Sequence, residues 1–460
     1  MLDSFELIGD WWLPEKPEHK IHGKLSYDRK KKSVLSLDSD FGESPIEVLE
    51  KDFHEVILGD SFGRKVTLTN CFRIKLSITH TDDSKEYKKS EYGVSVFYVG
   101  KHFLKKEDIK FTKLVAEYSQ LEKWLGDRLF ESDMAENKEG ITEYKLKFTK
   151  PKRREIVLTK LKIYIDYGLS WTYSQTKPKF DTYPLVSLDF DNEMHIDELY
   201  SIAYHLRNFL SLGLGDRVSI TAMSGENKKT GEHERVEIFD NVGKEPSDEK
   251  DLEEIWLPFN YDSISKNPEF YLENWFNLIE NLEPLYDLFF GTLYNPQLYP
   301  TYEFLSFAQA LESYHSRTFD NNIMPKEQFG ELLKQMQGII EEIPEEYQKQ
   351  FMPKAQYDMN RKSLRRKIGE LFEKHDKLFS KFVEKKEEFI DMVVNTRNYY
   401  THYSPELKDQ AANIVDMPFL SQNLRFMLIV ILLKEIGFDD ETTKQILNKY
   451  LRWRIIRIFA

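Results

Sequence analysis

The sequence predicts an α+β protein: an antiparallel, β-rich, sandwich-like N-terminal domain followed by an all-α helical bundle. Three observations carry this. Several segments within the first 240 positions or so show partial period-2 alternation and read as strands. From about residue 267 apolar residues recur instead at i, i+3, i+4 and i+7, the helical spacing. Between the two patterns lies a polar stretch without periodicity. At 460 residues, with 40% hydrophobic and 14% aromatic content, the chain is long enough for two cores.

Taken in order, Lys20–Asp28 and Lys32–Asp38 read as paired strands around a turn-like Asp28–Lys31. Val66–Ile78, Tyr92–Val99, Ile156–Ile165 and Leu185–Phe190 continue the alternation. Two helices interrupt it, one near Lys113–Trp124 and one over about Ile196–Leu210, the second ending before the glycine-bearing Leu212–Asp216. Strands with few long helices pack as a sandwich or a curled barrel. Ser224–Lys250 is rich in Gly, Lys, Glu and Asp and reads as surface loop or linker. The expected division is 1–245 as a regulatory domain, 246–266 as linker and 267–460 as the helical domain. Six helices are expected there: Asn267 onward to a stop or kink at Pro284, Phe304–Arg317, Ser363–Asp376, Phe379–His402, Leu420–Ile436 and Asp440–Ile458. The fourth carries a core stripe of Phe382, Phe389, Val393, Thr396 and Tyr400.

The single cysteine, Cys71, excludes an internal disulfide framework and fits a reducing compartment. The acidic opening residues lack a basic segment followed by an apolar one, and no apolar run approaches the roughly 18 to 20 residues that span a bilayer. A cytoplasmic protein without membrane contact is expected. No Walker loop, no Gly-x-Gly-x-x-Gly after a strand and no Cys/His cluster of zinc spacing is present, so neither cofactor nor metal is indicated. The net charge of −13 is unevenly spread: residues 1–260 carry −8, 261–350 carry −10 and 351–460 carry +5. Phosphate contacts are therefore expected in the last block.

The informative segment is Val393–Pro405. Arg397 and His402 are separated by four residues, and the amide of Asn398 follows the arginine. Five steps along a helix rotate the chain by about 500°, leaving the two side chains roughly 140° apart. They converge only where the helix finishes, and Pro405 disfavours helical geometry at Ser404. A histidine that exchanges protons near neutral pH, beside a permanent planar cation, suits cleavage of RNA through its 2′-OH. Tyr399, Tyr400 and Tyr403 offer stacking surfaces for unpaired bases. The basic runs that include Arg365, Arg366, Arg452 and Arg454 read as solvated helix faces or as contacts to an RNA backbone. Trp11 and Trp12 read as packing residues, and His315 and His375 as structural or surface histidines.

The segment Arg397-Asn-Tyr-Tyr-Thr-His402 resembles the Arg-polar-x3–5-His motif of HEPN ribonucleases. Together with Phe307–Arg317 it resembles the C-terminal HEPN domain of ApeA-like anti-phage proteins, and Leu7–Glu15 with Ile21–Asp28 resembles their N-terminal domain. The resemblance implies a dimeric, metal-independent endoribonuclease of abortive infection that leaves a 2′,3′-cyclic phosphate and a 5′-OH, with tRNA as a candidate substrate. It implies that Arg397 holds the scissile phosphate, Asn398 orients it and His402 acts as acid or base. Glu312, on a helix expected to face the motif, is either a supporting acid or the partner of a nearby Arg or Lys. A homodimer through the helical domain would bring two Arg–His pairs together, with Leu420–Ile436 and Trp453–Ile458 supplying the patch. The N-terminal domain is expected to restrain the nuclease until a phage-derived trigger arrives, or else to bind RNA itself. A non-catalytic HEPN-type module that only dimerises or senses a ligand is the alternative.

Overall fold

Strand β1 (Ser4–Trp12) pairs antiparallel with β2 (Ile21–Asp28), β2 with β3 (Ser33–Leu37), and β3 with β6 (Glu86–Val99). β6 pairs in turn with β5 (Arg64–His80), β5 with β4 (Phe53–Ser61), and β4 returns to β1. The ladder closes, so the first six strands form a barrel and not two facing sheets. The computed structural model describes residues 4–42, 52–80, 86–136, 142–174, 179–227, 234–240, 257–357 and 359–459. It divides the chain into two units, Met1–Glu269 and Phe270–Ala460.

Alternation explains the barrel. Ile21, Leu25 and Tyr27 of β2 and Leu35 and Leu37 of β3 point inward with their intervening residues outward. The interior is filled by Trp11, Phe97, Tyr92, Phe239 and aliphatic neighbours. A Cβ on Gly59 would come within 2.3 Å of the Trp11 ring, so glycine is required where that indole crosses β4. Trp12 faces the opposite way, onto Val56, Leu58 and His102. Both tryptophans are packing residues.

A second antiparallel stretch continues from β6 through β14 (Arg235–Asp240), β13 (Ile220–Glu226), β7 (Lys110–Tyr118), β12 (Lys179–His195), β11 (Lys162–Thr172) and β10 (Arg154–Val157). β8 (Phe130–Glu136) and β9 (Thr142–Phe148) form a separate hairpin. The helix expected near Lys113–Trp124 is instead strand β7 followed by the short helix α1 (Leu121–Leu125). Over so short an apolar run both periods fit, and the ladder partners on either side, β12 and β13, decide for the strand. Helix α2 (Ile196–Leu214) packs against β7 and β12 and ends at Gly215 in the left-handed region, φ 73°. The stretch 224–250, read as loop, contains β14, whose Val236 and Ile238 are buried; six residues between polar flanks are too few to register as periodicity. Residues 246–256 of the expected linker lie outside the described residues. Helix α3 (Tyr261–Ile264) follows, closed by a capping box between Asn260 and Ser263.

Helix α4 (Pro268–Leu293) does not stop at Pro284 but bends, with Leu282 out of helical geometry at φ −123°. A proline ring that removes an N–H and crowds the carbonyl four residues back accounts for the bend. α5 (Pro300–Thr318) follows. Two helices that the sequence reading lacked come next, α6 (Lys326–Glu341) and α7 (Glu345–Tyr357). Then come α8 (Leu364–Phe379), α9 (Lys386–His402), α10 (Met417–Glu435) and α11 (Asp440–Phe459). The helix expected over Phe379–His402 begins later: α8 runs to Phe379, α9 starts at Lys386, and Phe382 lies in the turn between them, edge-to-face with Phe426.

α10 is the hub. It packs along α5, and every residue from Phe426 to Leu433 is at most 1% exposed. By length and composition it could cross a membrane, but 67% of its apolar window is buried. That burial, worth roughly 1.5–3 kcal/mol per large aliphatic side chain, identifies it as the core helix of the bundle.

Candidate active site

Three helices converge on the motif. α5 buries Phe304, Phe307, Ala308, Leu311 and Tyr314, which leaves Glu312 and Ser316 at the margin of that stripe. α8 buries Leu364, Ile368, Leu371 and Phe372, and α9 buries Phe389, Ile390, Val393 and Thr396. At their junction the Glu312 carboxylate is shared. Its Oε2 accepts from Arg397 Nη2 at 3.4 Å and its Oε1 from Lys367 Nζ at 3.2 Å. Lys367 also donates to the Ser316 hydroxyl at 2.9 Å. Arg397 Nη1 reaches Asn398 Oδ1 at 3.2 Å. The Arg397 side chain stays 35% exposed, so its fork remains open to a ligand from solvent.

α9 ends where the sequence places the end. His402 is its last residue, and Tyr403 takes a left-handed conformation at φ 52°. The segment after Pro405 folds back on the helix: the Thr396 hydroxyl accepts from the Ala412 amide at 2.8 Å, and the Tyr400 hydroxyl donates to the Ala412 carbonyl at 3.4 Å. Tyr399 lies 4.9 Å from Tyr400 and 5.6 Å from Tyr403 between ring centroids, a three-ring cluster beside His402. His402 itself is exposed. No hydrogen bond joins it to Arg397 among the described residues. Because the helix persists to His402, the roughly 140° between the two positions is retained. The structure therefore gathers Arg397, Asn398 and Glu312 but leaves His402 apart within one protomer.

A second polar network lies further along α5 and α8. His315 Nε2 meets Glu370 Oε2 at 2.8 Å, and Lys362 and Arg366 reach the same carboxylate. Burial would raise the Glu370 carboxyl, but hydrogen bonds from Lys362, His315 and Arg366 outweigh it and bring it to about 2. Burial lowers His315, with Glu370 opposing. His315 and His375 are both buried, which excludes the surface reading.

The expected RNA-contacting arginines fare differently. Arg365 is ion-paired with Asp391 and Arg366 with Glu370, so part of their charge is already answered. The side chains of Arg452 and Arg454 lie outside the described residues. Of the patch expected from Leu420–Ile436 and Trp453–Ile458, Leu424 and Phe426–Leu433 are consumed by the protomer's own core, and the side chains of Trp453–Ile458 lie outside the described residues. Exposed apolar surface near the motif comes instead from Tyr403, Ile414, Val415 and Phe419. Among the described residues no group of three or more His, Cys, Asp or Glu side chains gathers as a metal site.

Sequence reading missed Lys367. It belongs to the basic run 361–367, which reads as a solvated face or as contacts to an RNA backbone, yet it is only 8% exposed. The signal was available: position 367 lies three residues after Leu364 and four before Leu371, on the apolar stripe itself.

Residues 6–275, more than half of the chain, match the family model for ApeA N-terminal domain 1. Residues 305–442, which run from within α5 to the start of α11, match the model for Apea-like HEPN. No curated protein and no solved structure matches the chain.

Proposed function

Because this chain belongs to the ApeA family, with a C-terminal Apea-like HEPN domain of the kind found in anti-phage effectors, we propose that it is a metal-independent endoribonuclease. The observation that supports this most directly is the half-exposed Arg397 fork, steadied by Glu312 and Asn398, in the helix that ends at an exposed His402. In the proposed reaction the ribose 2′-oxygen attacks phosphorus as the bond to the 5′-oxygen breaks. The 2′-OH proton is taken up, a proton is delivered to the departing 5′-oxygen, and the products are a 2′,3′-cyclic phosphate and a 5′-OH. Arg397 answers the charge on the phosphoryl oxygens. Asn398 orients that phosphate, and His402 carries a proton in one of the two transfers. Tyr399 and Tyr403 stack on flanking unpaired bases, with tRNA loops as candidate substrates.

The angular separation of Arg397 and His402 on one helix favours a composite cleft in which two protomers each contribute a pair. The exposed strip of Tyr403, Ile414, Val415 and Phe419 beside the motif is the surface proposed to bury that contact.

Cleavage of tRNA and of a single-stranded oligoribonucleotide by the full-length protein tests the reading. Arg397→Ala and His402→Ala are each expected to lower the rate by about a hundredfold or more, the scale of a lost acid–base or electrostatic contribution. Equal cleavage by wild type and both variants would sink it, as would equal harmlessness on expression with no RNA cut by any of them.

A further inference from the structure

We infer that Lys367 is a positioning residue whose task is to share the Glu312 carboxylate and so leave Arg397 with uncompensated charge for the RNA phosphate. This deepens the nuclease reading and rests on it. Glu312 faces two cations, one on each oxygen: Lys367 at 3.2 Å and Arg397 at 3.4 Å. The two are not equivalent. The Lys367 side chain is 10% exposed and held additionally by Ser316, whereas that of Arg397 is 35% exposed and makes its remaining contact with the neutral amide of Asn398. A buried ammonium cannot reach a substrate and is itself costly unless paired, so it fixes Glu312 on the inner side. Arg397 is then oriented by a carboxylate whose charge is already balanced.

Without Lys367 the same carboxylate would have Arg397 as its remaining cationic partner. The guanidinium would be drawn inward and its charge cancelled, leaving a fork of correct shape but weak attraction for phosphate. The consequence is specific: loss of Lys367 should matter because Glu312 is charged, and neutralising Glu312 should repair it. A Lys367 that merely filled space or tied α8 to α5 would show no such repair.

The test uses full-length protein carrying His402→Ala, so that RNA is bound but not cut, and a fluorescent mixed-sequence single-stranded oligoribonucleotide. Lys367→Met is expected to weaken binding about tenfold, the scale of one charge-assisted contact. Glu312→Gln added to Lys367→Met is expected to return it to within about threefold of the reference, and Lys367→Arg to stay there. Unchanged binding by Lys367→Met, or a double variant as weak as the single one with an undiminished melting temperature, would overturn the inference. Should Lys367→Met fail to fold, the double variant, which has no stranded carboxylate, decides by the same threshold. Failure of the nuclease reading looks different: Arg397→Ala would bind and, with His402 restored, cleave as the wild type does.

Discussion

His375 sits on the buried stripe of α8 with Nε2 unpartnered among the described residues, and burial, reinforced by Lys374 and Lys434, lowers it to about 4. The unfolded chain takes up this proton near its ordinary value of 6.5, the folded one only near 4. The neutral histidine thus contributes stability that is complete above about pH 6.5 and declines as pH falls toward 4. The slope approaches about 1.4 kcal/mol per pH unit. Chemical denaturation across that window should show the decline, and His375→Leu should reduce it, leaving the part due to His205, which burial also lowers to about 4; an unchanged slope in the variant would assign the effect elsewhere. Glu370 occupies a separate window. Its depressed carboxyl contributes above the ordinary carboxylate range and is lost only as pH falls toward about 2. Arg397, Asn398 and His402, the residues proposed for catalysis, belong to the same residue scale, each depending on a few neighbours.

Helix α9 is held at its working end by a return segment and not by its own length. Thr396, fully buried, is the anchor: its hydroxyl accepts from the amide of Ala412. Thr396→Val keeps the shape and removes the acceptor, leaving a buried N–H unpaired at a cost of about 1–3 kcal/mol. The measurable outcomes are a lower denaturation midpoint and faster hydrogen exchange at the Ala412 amide. Slow exchange at that amide in the variant would mean the segment is held by other contacts. α10 works the other way, through bulk: Phe426, 1% exposed, packs on Phe382 in the turn before α9. Phe426→Ala should cost about 3–5 kcal/mol and loosen that turn, read as a drop in denaturation midpoint.

For the whole molecule, the proposed composite cleft requires two copies. Light scattering at micromolar concentration is expected to return about twice the protomer mass of 54.8 kDa, and a strict monomer would remove the basis for pairing Arg397 with a partner's His402. Control is a second whole-chain property. Residues 1–260 carry −8 and residues 351–460 carry +5, so the β-rich unit is proposed to restrain the helical one until a trigger favours the active arrangement. Residues 260–460 expressed alone should then cut RNA faster than the full chain. A folded, dimeric but inactive fragment would show that the β-rich unit is needed for activity instead.

Much of this was legible in one dimension. Ile21–Asp28 and Ser33–Leu37 show partial alternation, and the inward faces of Ile21, Leu25, Tyr27, Leu35 and Leu37 follow from it. Pro284, Pro405 and the Arg397–His402 spacing located a bend, a helix end and the candidate motif, because proline and periodicity act over a few residues. Closure of the ladder from β4 back to β1 did not show, since pairing partners lie some fifty residues apart and leave no local mark. Neither did the strand at Lys110–Tyr118, where the two neighbouring strands, not the local pattern, chose between periods. Lys367 marks the same limit. Its place on the apolar stripe was in the sequence, but only the packing of α5 against α8 set Glu312 opposite it and gave a buried cation a reason to be there.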